Sequence, residues 1–250
     1  MSETVFENES CIVINKKCGE DSERPEGFSG LKPVHRLDKP ASGCLLLAKT
    51  KEAAAFLSAA LAGNGALARN GALARNGAFL KNAAHDAEKS SIVEKRYWAI
   101  VEKPTDNVFE NDFFNLKWKE AVHWLDSLKN NKSIAHNECK PGSKKAIMRF
   151  RFIGSGVNYH FLEIDLVTGR HHQIRAQLAA LGLRIKGDLK YGARRSEKTG
   201  GIRLHARSIR FPNPLNAAEM IFAEALPPGQ PDSLWRDFQT AIDTDFIHTV

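Results

Sequence analysis

Ile147-Met148-Arg149-Phe150-Arg151-Phe152, then Gly154-Ser155-Gly156, then Tyr159-His160-Phe161-Leu162-Glu163-Ile164-Asp165-Leu166 is the stretch that decides the fold. Both flanking runs alternate apolar with polar or charged residues, the pattern of a half-exposed strand. The glycine-rich centre suits a tight reversal, so the runs are expected to form an antiparallel hairpin. Upstream, Tyr97-Trp98-Ala99-Ile100-Val101, Cys11-Ile12-Val13-Ile14-Asn15 and Cys44-Leu45-Leu46-Leu47-Ala48 read as further strands. Thr50 is a plausible N-cap for a helix beginning at Lys51, with Gly63 as its stop, and Ile174 to Leu181 fits a short helix ended by Gly182.

Residues 105–145 read as polar, with scattered aromatics and lysines at Lys140, Lys144 and Lys145. Several strands with few helices between them predict an α+β fold. Its expected form is a large mixed, mainly antiparallel sheet flanked by helices and loops, with an active-site cleft across the sheet. The absence of a Pro, Gly or Ser linker predicts a single domain over residues 1–250. One segment departs from this plan. Asn64-Gly65-Ala66-Leu67-Ala68-Arg69 repeats at 70–75 and, degenerately, at 76–81. A six-residue period advances about 600° around a helix, so its leucines do not share a face. Residues 64–90 are therefore expected to be a low-complexity insertion.

The chain has 250 residues, with 36 Lys and Arg against 29 Asp and Glu, a net charge of +7. A balance this basic often accompanies phosphate partners, above all nucleic acid, although charge that only maintains solubility looks the same. The cysteines, Cys11, Cys18, Cys44 and Cys139, include no Cys-x-x-Cys pair, so neither a zinc site nor a disulfide framework is expected. The acidic N-terminus has no signal-peptide pattern and no apolar run reaches membrane-spanning length, so a cytoplasmic protein is expected. Adjacent His171 and His172 point in different directions on any regular backbone, which argues against their sharing a metal.

Five blocks carry candidate chemistry. They are His35-Arg36-Leu37-Asp38 with Ser42-Gly43, then Lys95-Arg96-Tyr97-Trp98-Ala99-Ile100-Val101, then Thr168-Gly169-Arg170-His171-His172-Gln173-Ile174-Arg175. Gly182-Leu183-Arg184-Ile185-Lys186-Gly187-Asp188 with Tyr191-Gly192 follows, and Leu204-His205-Ala206 closes the set. Taken singly they are ambiguous. Arg36 and Asp38 fit a structural ion pair as well as a carboxylate held ready for a polyanionic substrate. Tyr97 fits a core position, and Arg175 an ordinary surface of a helix.

Together, and in this order, the blocks resemble those of the RluA family of pseudouridine synthases. The resemblance spans roughly Cys11 to Pro228. It implies isomerisation of uridine to pseudouridine in ribosomal or transfer RNA: the N1–C1′ bond breaks, the base turns, and C5 bonds to C1′. No cofactor and no metal are implied. Asp38 matches the essential aspartate, acting while ionised either as a nucleophile or as a base. Arg175 matches its basic partner. Tyr97 matches a tyrosine whose ring stacks on the uracil and whose hydroxyl is placed for proton transfer at C5. Arg36 matches the arginine that fills the stack when the base is flipped out. His35, Lys39, Arg170, His172 and Gln173 are assigned to RNA binding, with His172 and Gln173 also holding the loop by hydrogen bonds. Gly187 and Asp188 are expected to shape a turn near the cleft.

The departures are Ala41 where relatives commonly have Thr, Lys17 in place of a proline, and Lys103 in place of a glycine. The chain is expected to act as a monomer without the N-terminal RNA-binding module of many relatives. The alternative of another class is a catalytically silent RNA-binding or ribosome-assembly factor, which has no need of Asp38. A nucleic-acid hydrolase is disfavoured by the lack of metal-binding carboxylate clusters.

Overall fold

A computed structural model describes residues 2–63, 93–104, 115–198, 200–228 and 233–247. In chain order the strands are β1 (Glu3–Glu7), β2 (Cys11–Lys16), β3 (Lys32–Pro33), β4 (Ser42–Ala48), β5 (Glu94–Glu102) and β6 (Lys119–Ser127). They continue with β7 (Ser133–His136), β8 (Lys144–Ser155), β9 (Tyr159–Leu166), β10 (Leu204–Asn213) and β11 (Asn216–Glu224). The helices are α1 (Lys51–Leu61), α2 (Gln173–Ala180) and α3 (Ser233–Ile247). The fold is α+β with mainly antiparallel strands, as the alternation predicts. The chain gathers into two compact units, Met1–Lys95 with Ala206–Leu226 and Arg96–His205 with Pro227–Val250. The chain passes between them at Lys95/Arg96, at His205/Ala206 and at Leu226/Pro227, and the third of these enters Pro227-Pro228-Gly229, a Pro/Gly stretch where the sequence reading expects no linker. The repeat over 64–90, read as an insertion, lies outside the described residues. Among those described, no helix is long and apolar enough to cross a membrane.

In the first unit the strands run β1-β2-β4-β10, with β3 also on β4 and β11 on β10. β4 is buried over its whole length, which explains a continuous apolar run in place of alternation. Gly43 has φ +112°, and a Cβ there would lie 2.3 Å from the carbonyl oxygen of Ala206, so only glycine lets β4 lie this close to β10. Thr50 caps α1 as expected, its hydroxyl accepting the Ala53 N–H at 3.1 Å. Ala53, Leu57 and Ala60 form the buried stripe of that helix.

The second unit orders its strands β5-β9-β8-β6-β7, every neighbouring pair antiparallel. The β8–β9 hairpin is present, with a bulge between Phe152 and Gly154. The register places Trp98 with Glu163 and Arg151 on one face, and Ala146 with His123 on the other. Trp98, Ile100, Ile153 and Phe161 are packed by Trp235 and Phe238 of α3. Ala146 and Leu125 pack with Ala176 of α2 and Tyr191 on the opposite side. β6 and β7 fall inside 105–145, where no strand is expected from the sequence. β6 turns His123 inward at 5 % exposure, so its buried face reads Ala-His-Leu and the alternation is masked.

Candidate active site

The sequence-derived site residues divide between the two units, and each group is held by its own framework. In the first unit, the segment carrying Asp38 leaves β3 and turns back into β4, with the Ala41 N–H donating to the Asp38 carbonyl at 2.9 Å. Its side chain is half-buried. Three anchors fix the backbone around it. The Leu46 N–H donates to His35 Nε2 at 3.1 Å, so that nitrogen carries no proton. Burial, with the Lys95 ammonium adding to it, pushes the His35 pKa down to about 3. His35, assigned to RNA binding from the sequence, is thus a neutral ring bonded to β4.

The second anchor is Ser22, whose hydroxyl accepts the Leu37 N–H at 3.0 Å and donates to the Leu37 carbonyl at 2.8 Å. Leu37 itself is 5 % exposed, a hydrophobic peg beside the acid. The third anchor is Lys16, fully buried at the end of β2. Its ammonium donates to the carbonyls of Ala41 at 2.7 Å, Lys17 at 2.9 Å, Glu20 at 3.1 Å and Lys39 at 3.4 Å. Burial lowers the Lys16 pKa, opposed by the charges of Cys18, Glu20, Asp38 and Asp21. A buried ammonium requires such a cage, and this one ties the loop after β2 to the residues just past Asp38. Sequence reasoning passed over Lys16 and Ser22. The available signal was a lysine terminating an otherwise buried strand.

Arg36 reaches Glu23 only at 3.9 Å, with both side chains about 70 % exposed. A pair that open to water is worth about 0–1 kcal/mol and does not hold the arginine in place. Lys39 is exposed as well.

In the second unit, Tyr97 lies on β5 opposite Ile164 of β9 and is 6 % exposed. Arg175, on the first turn of α2, is 4 % exposed. Its Nε donates to Asp188 Oδ2 at 2.7 Å and its Nη2 to Asp188 Oδ1 at 2.8 Å, a bidentate fork that fixes the guanidinium plane. Asp188, expected only to shape a turn, therefore has a second task. The turn exists too: the Tyr191 and Ala193 N–H groups donate to the Asp188 carbonyl. Gly187, at φ +88°, leaves no room for a Cβ against Glu197 and the Gly201 carbonyl.

Tyr191 completes the support. Its ring centre is 4.9 Å from Arg175 Cζ. Its hydroxyl accepts the Ser133 N–H at 2.9 Å, donates to the Ser133 carbonyl at 3.0 Å and meets His172 Nδ1 at 3.1 Å. Because the one hydroxyl proton goes to Ser133, His172 Nδ1 is the donor of that last bond. His172 has φ 52°, a left-handed backbone costly for a non-glycine residue, and leads directly into α2. Stacking on His171, at 3.9 Å and 20° between the rings, and the bond to Tyr191 hold it there. Its pKa is pushed down to about 3, first by burial, then by Arg175, His171 and Lys190, against the pull of Asp188.

Gln173 ties the loop to β8. Its Oε1 accepts from the Thr168 hydroxyl at 2.8 Å and the Arg170 N–H at 2.9 Å, while Nε2 donates to the Ile147 carbonyl at 3.0 Å. With exposures of 8 % and 3 %, His172 and Gln173 shape the loop from within. Arg170 is exposed beside Lys145. Further along, Glu197 accepts from Lys186 at 2.5 Å and Arg203 at 2.8 Å. Burial pushes its pKa up, but these two donors outweigh it and hold the acid at about 2.

What this arrangement offers is an aspartate on a turn fixed at its backbone, and an arginine whose direction is set by a second carboxylate. Known proteins place it. The family profile described as RNA pseudouridylate synthase matches residues 11–69 and 72–180. The Bacillus subtilis protein named uncharacterized RNA pseudouridine synthase YjbO is 26% identical over 242 residues, covering 89% of this chain and 72% of that relative. Ribosomal large subunit pseudouridine synthase C of Rickettsia bellii is 28% identical over 205 residues, 75% of this chain and 56% of that relative. In fold, human RNA pseudouridylate synthase domain containing 1 superposes with a TM-score of 0.63 at 19% identity, covering 96% of this chain and 87% of the human one. The chain belongs to the RNA pseudouridylate synthase family, in its RluA group of isomerases acting on RNA.

Proposed function

We propose that this protein isomerises particular uridines of ribosomal or transfer RNA, with Asp38 as the essential carboxylate. The observation that supports the reading most is the investment of buried structure in the Asp38 turn. A fully buried lysine and a serine clamp hold backbone groups within three residues of one half-buried acid, and the neutral histidine three residues before it is bonded to β4. That arrangement suits a carboxylate whose position matters more than its contribution to packing.

Reaching a stacked uridine costs a few kcal/mol, and the solvent-facing Arg36 is the group proposed to enter the gap left behind. Asp38, ionised, then acts at the sugar or the base, while Tyr97 offers its ring to the uracil. The N1–C1′ bond breaks, C5 bonds to C1′, and the proton displaced from C5 is balanced by the one gained at N1. Arg175 is proposed to be the cation answering Asp38.

The test is to incubate unmodified transcripts of large-subunit ribosomal RNA and of transfer RNAs with the protein and map pseudouridine along them. Gain at defined positions is expected, and Arg36→Ala should reduce it most where the target uridine is stacked in a helix. Transcripts that bind but stay unmodified under all conditions would overturn the proposal.

A further inference from the structure

The cations of the second unit fall into two classes. Many are paired with carboxylates: Arg151 with Glu163, Arg175 with Asp188, Arg194 with Glu102, and Lys186 and Arg203 with Glu197. Others meet no carboxylate among the described residues. Lys129 and Lys132 are in the β6–β7 turn, Lys190 follows the Asp188 turn, and Arg170 belongs to the loop before α2. Lys144 and Lys145 open β8. All are exposed except Lys132, which is half-buried.

Contacts link the segments that carry these cations, and on β8 it is Lys144 that shares the face of Leu125, Ala146 and Tyr191, while Lys145 points to the other face. Lys190 Nζ donates to the carbonyls of Asn130 at 3.1 Å and Asn131 at 2.7 Å, joining it to the β6–β7 turn. Ser133, next to Lys132, bonds His171 through its hydroxyl, to the carbonyl at 2.7 Å and to Nδ1 at 3.1 Å. Arg170, next to His171, donates to the Lys145 carbonyl at 3.2 Å. At the inner end, Lys132 Nζ is 5.0 Å and Arg175 Cζ 4.9 Å from the centre of the same Tyr191 ring. Unneutralised cations repel one another, and concentrating them on one surface suits a polyanion. Their anchoring is also rigid, since the Tyr191 hydroxyl engages both backbone groups of Ser133.

We infer that this band, from Lys144 through Arg170 to Lys129, Lys190 and Lys132, is a track for the RNA phosphate backbone leading to Arg175. The inference deepens the proposed function and rests on it for the identity of the polyanion. Tyr191 gives the track a mechanical role: the residue that receives Lys132 on its ring also supports the guanidinium of Arg175. The strand flanking the target nucleotide is thereby registered against that arginine.

The experiment compares the protein with a variant carrying Lys129→Ala, Lys132→Ala, Lys144→Ala and Lys190→Ala, and with the corresponding four Lys→Arg changes. The probe is a fluorescent single-stranded RNA titrated at several salt concentrations, alongside pseudouridine formation on unmodified ribosomal transcript. Each lost phosphate contact should flatten the slope of log affinity against log salt by about 0.7 on single-stranded RNA. The alanine variant should therefore bind at least tenfold more weakly at low salt with a slope lower by roughly 3. Its loss of activity should fall on KM, and the arginine variant should recover both readouts. An alanine variant with wild-type affinity and slope would overturn the track, as would a loss that arginine does not restore. A wild type that isomerises nothing yet shows the band-dependent slope would refute the proposed function and leave the track standing. Isomerisation with no effect of the band would do the reverse.

Discussion

Replacing Asp188 with Asn is the perturbation that most sharply separates a positioning carboxylate from a turn former. The Arg175–Asp188 pair is almost completely dehydrated, with side-chain exposures of 4% and 2%. Asp188→Asn keeps the shape and the backbone turn, but removes the charge and turns one acceptor into a donor facing an arginine N–H. Breaking a buried pair from one side costs about 3–5 kcal/mol, and the oxygen that remains favours the lower end, about 3 kcal/mol. With an m-value of about 2 kcal/mol per molar, the urea midpoint should fall by roughly 1.5 M. Trp98 and Trp235, 3 % and 6 % exposed in the same unit, provide the fluorescence signal. Single-turnover isomerisation should fall with stability. The double variant Asp188→Leu/Arg175→Met should regain much of the lost stability, since two apolar groups replace the pair, but none of the activity. A cost below 1 kcal/mol for Asp188→Asn, or activity returning with stability in the double variant, would refute the reasoning.

Two other perturbations follow from the buried polar groups. Lys16→Met removes the donor held by the Glu20 and Ala41 carbonyls and should cost about 2–4 kcal/mol. Amide exchange over residues 17–20 and 39–41 should accelerate before the rest of the first unit, and unchanged exchange there would contradict the role given to Lys16. Acid should destabilise the protein through its neutral histidines. His172 has a folded pKa of about 3 against 6.5 when unexposed to that environment, so the unfolded chain takes up its proton first. The stability it supports is complete above pH 6.5 and is lost as pH falls toward 3, by about 1.4 kcal/mol per pH unit for this group alone. Urea midpoints measured at pH 7, 6 and 5 should decline, with a shallower decline for His172→Asn; a flat profile would count against a neutral His172.

Much of the fold was legible because its signals are local. The alternation across Ile147 to Leu166 gave the central hairpin, Thr50 gave the start of α1, and the unbroken apolar run gave β4. β6 was not legible because His123 occupies an inward position, where Gln177 Nε2 lies 3.1 Å from its Nδ1. A polar residue with a buried partner far along the chain looks solvent-facing when read locally. The candidate site was legible as a set of motifs, since Asp38, Tyr97 and Arg175 each lie in a distinctive block. The supports were not. Lys16 and Ser22 act through backbone atoms of residues up to 25 positions away, and Asp188 through an arginine 13 positions before it. No spacing rule announces such contacts, because loop closure and not periodicity creates them.

The most direct measurement of the central claim is single-turnover pseudouridine formation by Asp38→Asn on unmodified ribosomal transcript, with RNA affinity measured in parallel. The substitution removes a charge while leaving the backbone anchors at His35, Leu37 and Ala41 in place. The account predicts RNA binding within a few-fold of wild type and no pseudouridine at any position the wild type modifies. Pseudouridine formed by Asp38→Asn at the wild-type rate would contradict it.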